Sequence, residues 1–74
     1  MKLRDEVPFR LKLRTCRVEA GLSQEELAKE IGVSTPTVWN WENGKGEPTL
    51  SQCRMLSDLS GIPIDYMDVS NPKL

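Results

Sequence analysis

Apolar residues recur along this chain at helical intervals, and glycines interrupt the recurrence. Phe9, Leu13, Cys16 and Ala20 fall on one face, with Leu11 and Val18 nearer its margin, and Gly21 ends the run. Leu27, Ala28 and Ile31 form a second face that stops at Gly32; Val38 and Trp41 form a narrow third that stops at Asn43 and Gly44. Leu50, Cys53 and Leu56, continued by Leu59 or Ser60 with Met55 at the edge, form a fourth that stops at Gly61. Beyond it Ile62 is expected to pack inward, and Pro63 to open a last short helix carrying Ile64, Tyr66, Met67 and Val69. The pattern predicts an all-α chain.

The polar residues at the breaks fit this division. Ser23 with Glu26 has the reciprocal capping pattern, a hydroxyl taking one backbone N–H while the carboxylate takes another, so the second helix starts there. Ser34 caps the third, in which Pro36 occupies the first turn at no cost in hydrogen bonds. Thr49 or Ser51 caps the fourth after the loop KGEPTL. On the third helix Thr35, Thr37, Trp39 and Asn40 point away from the Val38 and Trp41 face and are free to touch a partner.

A chain of 74 residues holds one domain with a small core, which favours local helical packing. We place a frayed arm at 1–8, the folded domain at 9–69 and a tail at 70–74. No apolar run approaches the ~20 residues that span a bilayer, and the opening MKLRDEVPFR lacks the apolar core of a signal peptide; the expectation is a cytoplasmic protein without a membrane partner. Cys16 and Cys53 lie within helical patterns, without a Cys-x-x-Cys pair or any histidine, and read as small core residues rather than as a zinc site, a disulfide or a redox sensor. The chain has no Ser-His-Asp or Cys-His set, no phosphate-cradling glycine loop and no metal-ligand spacing, so the reading is a non-enzyme with no cofactor and no metal.

Net charge is −1 and the pI near 5.3, which counts against nucleic-acid binding. The distribution weakens the objection. Residues 1–20 carry six Lys or Arg against three acids, residues 21–43 one against four, and residues 44–74 three against four. A DNA face would draw on Arg10, Arg14, Lys45 and backbone N–H groups at helix ends, with Glu25, Glu26 and Glu30 turned away or at its margin.

Taken together, Leu22-Ser23-Gln24-Glu25-Glu26-Leu27-Ala28, Gly32-Val33-Ser34 and Trp41-Glu42-Asn43-Gly44-Lys45 resemble the lambda-repressor-like, Cro-type helix-turn-helix family, from about Leu11 to Asp68. The resemblance implies a compact five-helix domain whose third helix lies in the DNA major groove. It places Thr35, Pro36, Trp39 and Asn40 at groove-facing positions, where Asn40 suits a bidentate contact to adenine and Pro36 an apolar one. It makes Gln24 a phosphate contact that steadies the third helix, assigns backbone contacts also to Arg14, Ser23, Thr37, Asn43 and Lys45, and pairs Arg17 with Glu42.

Trp39 departs from the small or polar residue usual in the family, leaving open packing onto the helix, stacking at the groove wall, or a protein contact. Ile64 and Tyr66 supply apolar surface for a weak homodimer on an inverted-repeat operator in double-stranded DNA. The function expected is a prokaryotic or phage transcriptional regulator, a repressor. The competing reading is a protein-interaction module such as an antitoxin or anti-repressor, and a further one is the DNA-reading domain of a longer protein.

Overall fold

Serine and threonine hydroxyls open three of the four helices in the computed structural model, which describes residues 11–68. Helix α1 spans Leu13–Glu19, α2 Gln24–Ile31, α3 Thr35–Glu42 and α4 Leu50–Ser60. The expected arm 1–8, Phe9, Arg10, Val69 and the tail 70–74 lie outside the described residues. Ser23 and Glu26 form the reciprocal cap of α2: the Glu26 N–H donates to Ser23 Oγ at 3.0 Å and the Ser23 N–H to Glu26 Oε1 at 2.8 Å. Thr49, not Ser51, caps α4 in the same way with Gln52, at 3.2 and 2.8 Å. Such caps contribute about 0.5–2 kcal/mol each, a sizeable term for helices this short.

The turn between α2 and α3 depends on Gly32, whose φ of 86° would strain any residue with a Cβ. In that conformation the Gly32 and Val33 N–H groups both donate to the Ala28 carbonyl, at 2.8 and 2.9 Å. The last turn of α2 is thereby closed, and Ser34 falls at once into capping position for α3, its Oγ accepting from the Thr37 N–H at 3.3 Å.

The core gathers Leu13 and Cys16 of α1, Leu27, Ala28 and Ile31 of α2, Val38 and Trp41 of α3, Leu56 of α4, and Met67, with Leu11, Leu22, Val33 and Ile62 packed around them. Helix α2 packs on α3, and α1 packs on α4 behind them. Leu27, Val38 and Cys16 are wholly excluded from solvent. Both cysteines are buried, and both are free thiols.

Four expectations need correction. The described residues form four α-helices rather than the expected five, because the segment after α4 is a 3-10 turn over Ile64–Tyr66. Helix α1 starts at Leu13, not Phe9: Leu11–Lys12 is extended and pairs in parallel with Met67–Asp68, Leu11 opposite Met67 and Lys12 opposite Asp68. Beside this ladder Lys12 Nζ meets Asp68 Oδ2 at 2.9 Å in an exposed ion pair. Met67, expected on a last short helix, lies instead in the two-residue strand and is core at 7% exposure, drawn in by the pairing of its backbone. Leu50, at the first turn of α4, has the period of a core residue but is 63% exposed, and Leu59 lies at the exposed margin.

Candidate nucleic-acid interface

Helix α3 begins with a Ser-Thr-Pro-Thr sequence and ends at Asn43, whose side-chain amide donates to the Trp39 carbonyl at 2.8 Å. Its inner side is held by Val38, fully buried, and Trp41, 9% exposed. Its outer side therefore turns to solvent in a fixed register. Thr35, Pro36 and Trp39 are exposed and Asn40 is half-buried; their spacing of one and four residues lays them along a single stripe. The Thr35 hydroxyl and the Asn40 amide have no intramolecular partner among the described residues, so their hydrogen-bonding capacity remains available.

The stripe is anchored from beneath by a polar cluster. Arg17 of α1 donates from Nε to Glu42 Oε2 at 2.6 Å and from Nη2 to Glu42 Oε1 at 3.3 Å, while its Nη1 donates to the Leu22 carbonyl at 2.9 Å. The pair is nearly enclosed, with 12% of the Arg17 and 4% of the Glu42 side chain exposed. Gln24, at the first position of α2, adds a bond from Nε2 to Glu42 Oε1 at 3.0 Å. One carboxylate at the end of α3 thus ties together α1, α2 and α3, and its charge is matched inside the fold rather than facing a ligand.

Next to this cluster lies an open notch lined by Arg14, Arg17, Gln24, Trp39, Glu42 and Asn43. Arg17 and Glu42 cancel within it, which leaves Arg14 as its uncompensated charge; Arg14 is exposed and has no ion pair among the described residues. The Gln24 amide, having given one N–H to Glu42, has a second to offer. A positive, donor-lined notch beside an exposed helix stripe suits an oxyanion such as a backbone phosphate.

The remaining candidates divide. Lys45 stands over the Trp39 ring with its ammonium 5.4 Å from the ring centre, and Trp39 is 45% exposed rather than folded into the core. Ser23 is exposed but its hydroxyl is already engaged as the α2 cap, and Thr37 Oγ1 lies 2.8 Å from Ser34 Oγ. The acids Glu25, Glu26 and Glu30 are exposed on α2, and the Glu26 carboxylate takes the Ser23 N–H. Ile64 and Tyr66 are far from the stripe in sequence and half-buried; Ile64 lines a groove with Arg54, Ser57, Asp58, Pro63 and Asp65.

Two contacts carry no periodic signal in the sequence: the Gln24 bond to Glu42, which joins two helices, and the Lys45 approach to Trp39, which crosses the turn at Gly44. Among the described residues no helix is long and apolar enough to cross a membrane, and no group of three or more potential ligands could hold a metal ion.

Residues 13–67 match the helix-turn-helix family profile. The chain is 35% identical over 59 residues to the HTH-type transcriptional activator BcrR of Enterococcus faecalis, an overlap of 80% of this chain and 29% of that protein. It is 41% identical over 56 residues to the cryptic phage CTXphi transcriptional repressor RstR of Vibrio cholerae, covering 76% of this chain and 50% of the repressor. An uncharacterized HTH-type transcriptional regulator of Methanocaldococcus jannaschii is 37% identical over 54 residues, covering 73% of this chain and 82% of its own length. The chain spans half or less of the length of BcrR and RstR.

Proposed function

The chain belongs to the lambda-repressor-like helix-turn-helix family, and from that membership we propose that it binds operator DNA through the outer face of α3 and regulates transcription by occupying promoter DNA. The observation that carries the reading is the two-sided construction of α3. Val38, Trp41 and the Arg17, Gln24 and Glu42 cluster fix one side, while Thr35, Pro36, Trp39 and Asn40 face solvent with free polar groups. A rigid helix with an unengaged polar stripe is the form that enters a major groove.

In this reading Asn40 and Thr35 read base edges, Pro36 and Trp39 make apolar contacts, and Arg14, Gln24, Asn43 and Lys45 hold the phosphate backbone. Ser23 and Thr37 sit at the N-terminal ends of α2 and α3, where backbone N–H groups point outward; their hydroxyls serve the caps, so they assist through the helix ends. Two copies, meeting through the turn that carries Ile64 and Tyr66, bind an inverted repeat with half-site centres about 34 Å apart, one DNA turn. The interface is small, so pairing is weak off DNA. Repression is the direction we assign, by analogy with the repressor RstR, since a protein seated in the major groove of promoter DNA excludes others from the same site.

The test is a binding selection from random duplexes with the chain as it stands. Enrichment of an inverted repeat, and affinity that drops steeply between low and physiological salt, are the expected results. Recovery of random sequence, or salt-independent binding, would overturn the DNA-binding reading.

A further inference from the structure

The Trp39 indole is the largest apolar group on the exposed stripe, and a lysine stands over its ring. Lys45 Nζ lies 5.4 Å from its ring centre, within the range in which the electron-rich face of an indole attracts a cation. Lys45 is exposed and has no ion pair among the described residues; without the ring, its long side chain would sample many rotamers in solvent. Both ends of the contact are themselves anchored. The Trp39 carbonyl receives the Asn43 amide at 2.8 Å, and the Lys45 N–H donates to the Asn40 carbonyl at 2.7 Å, closing the end of α3 and fixing where the lysine backbone leaves it.

We propose that Trp39 is a positioning residue for Lys45: its indole holds the ammonium at the edge of the α3 stripe, poised for a DNA phosphate, so that an uncharged side chain controls an ionic contact. The proposal rests on the DNA-binding reading above. It also accounts for a bulky indole on the exposed side of a helix, where it fills no core. The ordering cost of the lysine is met in the free protein instead of on binding, and the gain expected from an exposed cation–π contact is about two- to fivefold in affinity.

The experiment measures binding of a fluorescently labelled, mixed-sequence 20-bp duplex over a series of KCl concentrations, for the wild type, Trp39→Leu, Trp39→Phe, Lys45→Gln and the Trp39→Leu/Lys45→Gln double variant. Lys45→Gln should flatten the slope of log K against log salt by up to about 0.9, one phosphate contact. Trp39→Leu should flatten it by a comparable part although it removes no charge, Trp39→Phe should keep most of the slope, and the double variant should be no flatter than Lys45→Gln alone. In the free wild-type protein the Lys45 ε-methylene protons should be shifted upfield by the indole ring current, and Trp39→Leu should remove the shift. A wild-type slope in Trp39→Leu, even with weaker binding, would overturn the proposal while leaving DNA binding intact, since a lost base or sugar contact changes affinity without changing the ion count. Tighter binding by Trp39→Leu would overturn it too, by showing that the ring holds Lys45 away from phosphate. If the wild type bound no duplex at low salt, the functional reading would fail and this inference with it.

Discussion

The Arg17 guanidinium grips the Glu42 carboxylate through two nitrogens, at 2.6 and 3.3 Å, and joins the first helix to the end of the third with both side chains largely buried. The two partners are not equivalent. Arg17 keeps a bond to the Leu22 carbonyl if Glu42 is removed, whereas Glu42, with 4% of its side chain exposed, would keep only the Gln24 amide if Arg17 were removed. We expect Arg17→Ala to destabilise by about 3–5 kcal/mol, Glu42→Ala by somewhat less, and the double substitution by less than the sum. Urea unfolding of the four proteins of the cycle checks this, and additive losses would mean that the bridge contributes nothing of its own.

Asn40 and Gln24 should differ in kind when truncated. Asn40 has a free amide on the exposed stripe, so Asn40→Ala is expected to relax base choice at one position per half-site at a cost of about 1–3 kcal/mol. Gln24 faces the notch and also supports Glu42, so Gln24→Ala should weaken all duplexes alike and lower stability by about 1 kcal/mol. Selections from random duplexes, with melting curves alongside, separate the two effects. Unchanged base preference in Asn40→Ala would remove that residue from direct readout.

Ile64 offers the test of association. It is half-buried beside the groove formed with Arg54 and Asp58, not part of the central core cluster. Ile64→Asp should abolish cooperative occupation of a full inverted repeat while single half-site binding and the melting temperature stay close to wild type. A drop in melting temperature of more than a few degrees would assign Ile64 to the fold and move the dimer surface elsewhere.

The cysteines give the chain a defined response to alkali. Burial pushes the Cys16 thiol above its ordinary value of 9.0, with Glu19 adding to the rise and the Cys16 backbone bond opposing it; burial, then Glu47, does the same for Cys53. The folded protein therefore holds these protons more tightly than the unfolded chain. The linkage follows: stability from this source is fully present below the unfolded value near 9.0 and declines as pH rises through it toward the folded value. Urea unfolding of the wild type and of Cys16→Ala/Cys53→Ala across this window isolates the thiol contribution, since the two proteins differ in the thiols alone. An equal pH slope in the two proteins would contradict it. At neutral pH the same burial should make both thiols slow toward an aromatic disulfide reagent until urea is added.

Helix ends were legible from the chain alone because their chemistry is local. Ser23 finds Glu26 three residues on, Gly32 takes the left-handed turn that closes α2, and Val38 and Trp41 share a face whatever lies opposite. The same locality turned Thr35, Thr37, Trp39 and Asn40 away from the Val38 and Trp41 face, since one helix suffices to decide which side chains point together, whereas Pro36 joined the groove-facing set only through the family resemblance. Tertiary structure alone decided what depends on distant partners. Leu11 became strand rather than helix because Met67, 56 residues away, offers its backbone for pairing, and that pairing carries Met67 into the core and reduces the expected last helix to a 3-10 turn. Leu50 has the right period for the core yet is 63% exposed at the first residue of α4, since period places a side chain on a face while burial needs another element against it. Gln24 and Lys45 found Glu42 and Trp39 for the same reason: side chains that meet across a turn or between helices obey the packing of whole elements, which no periodicity within one segment encodes.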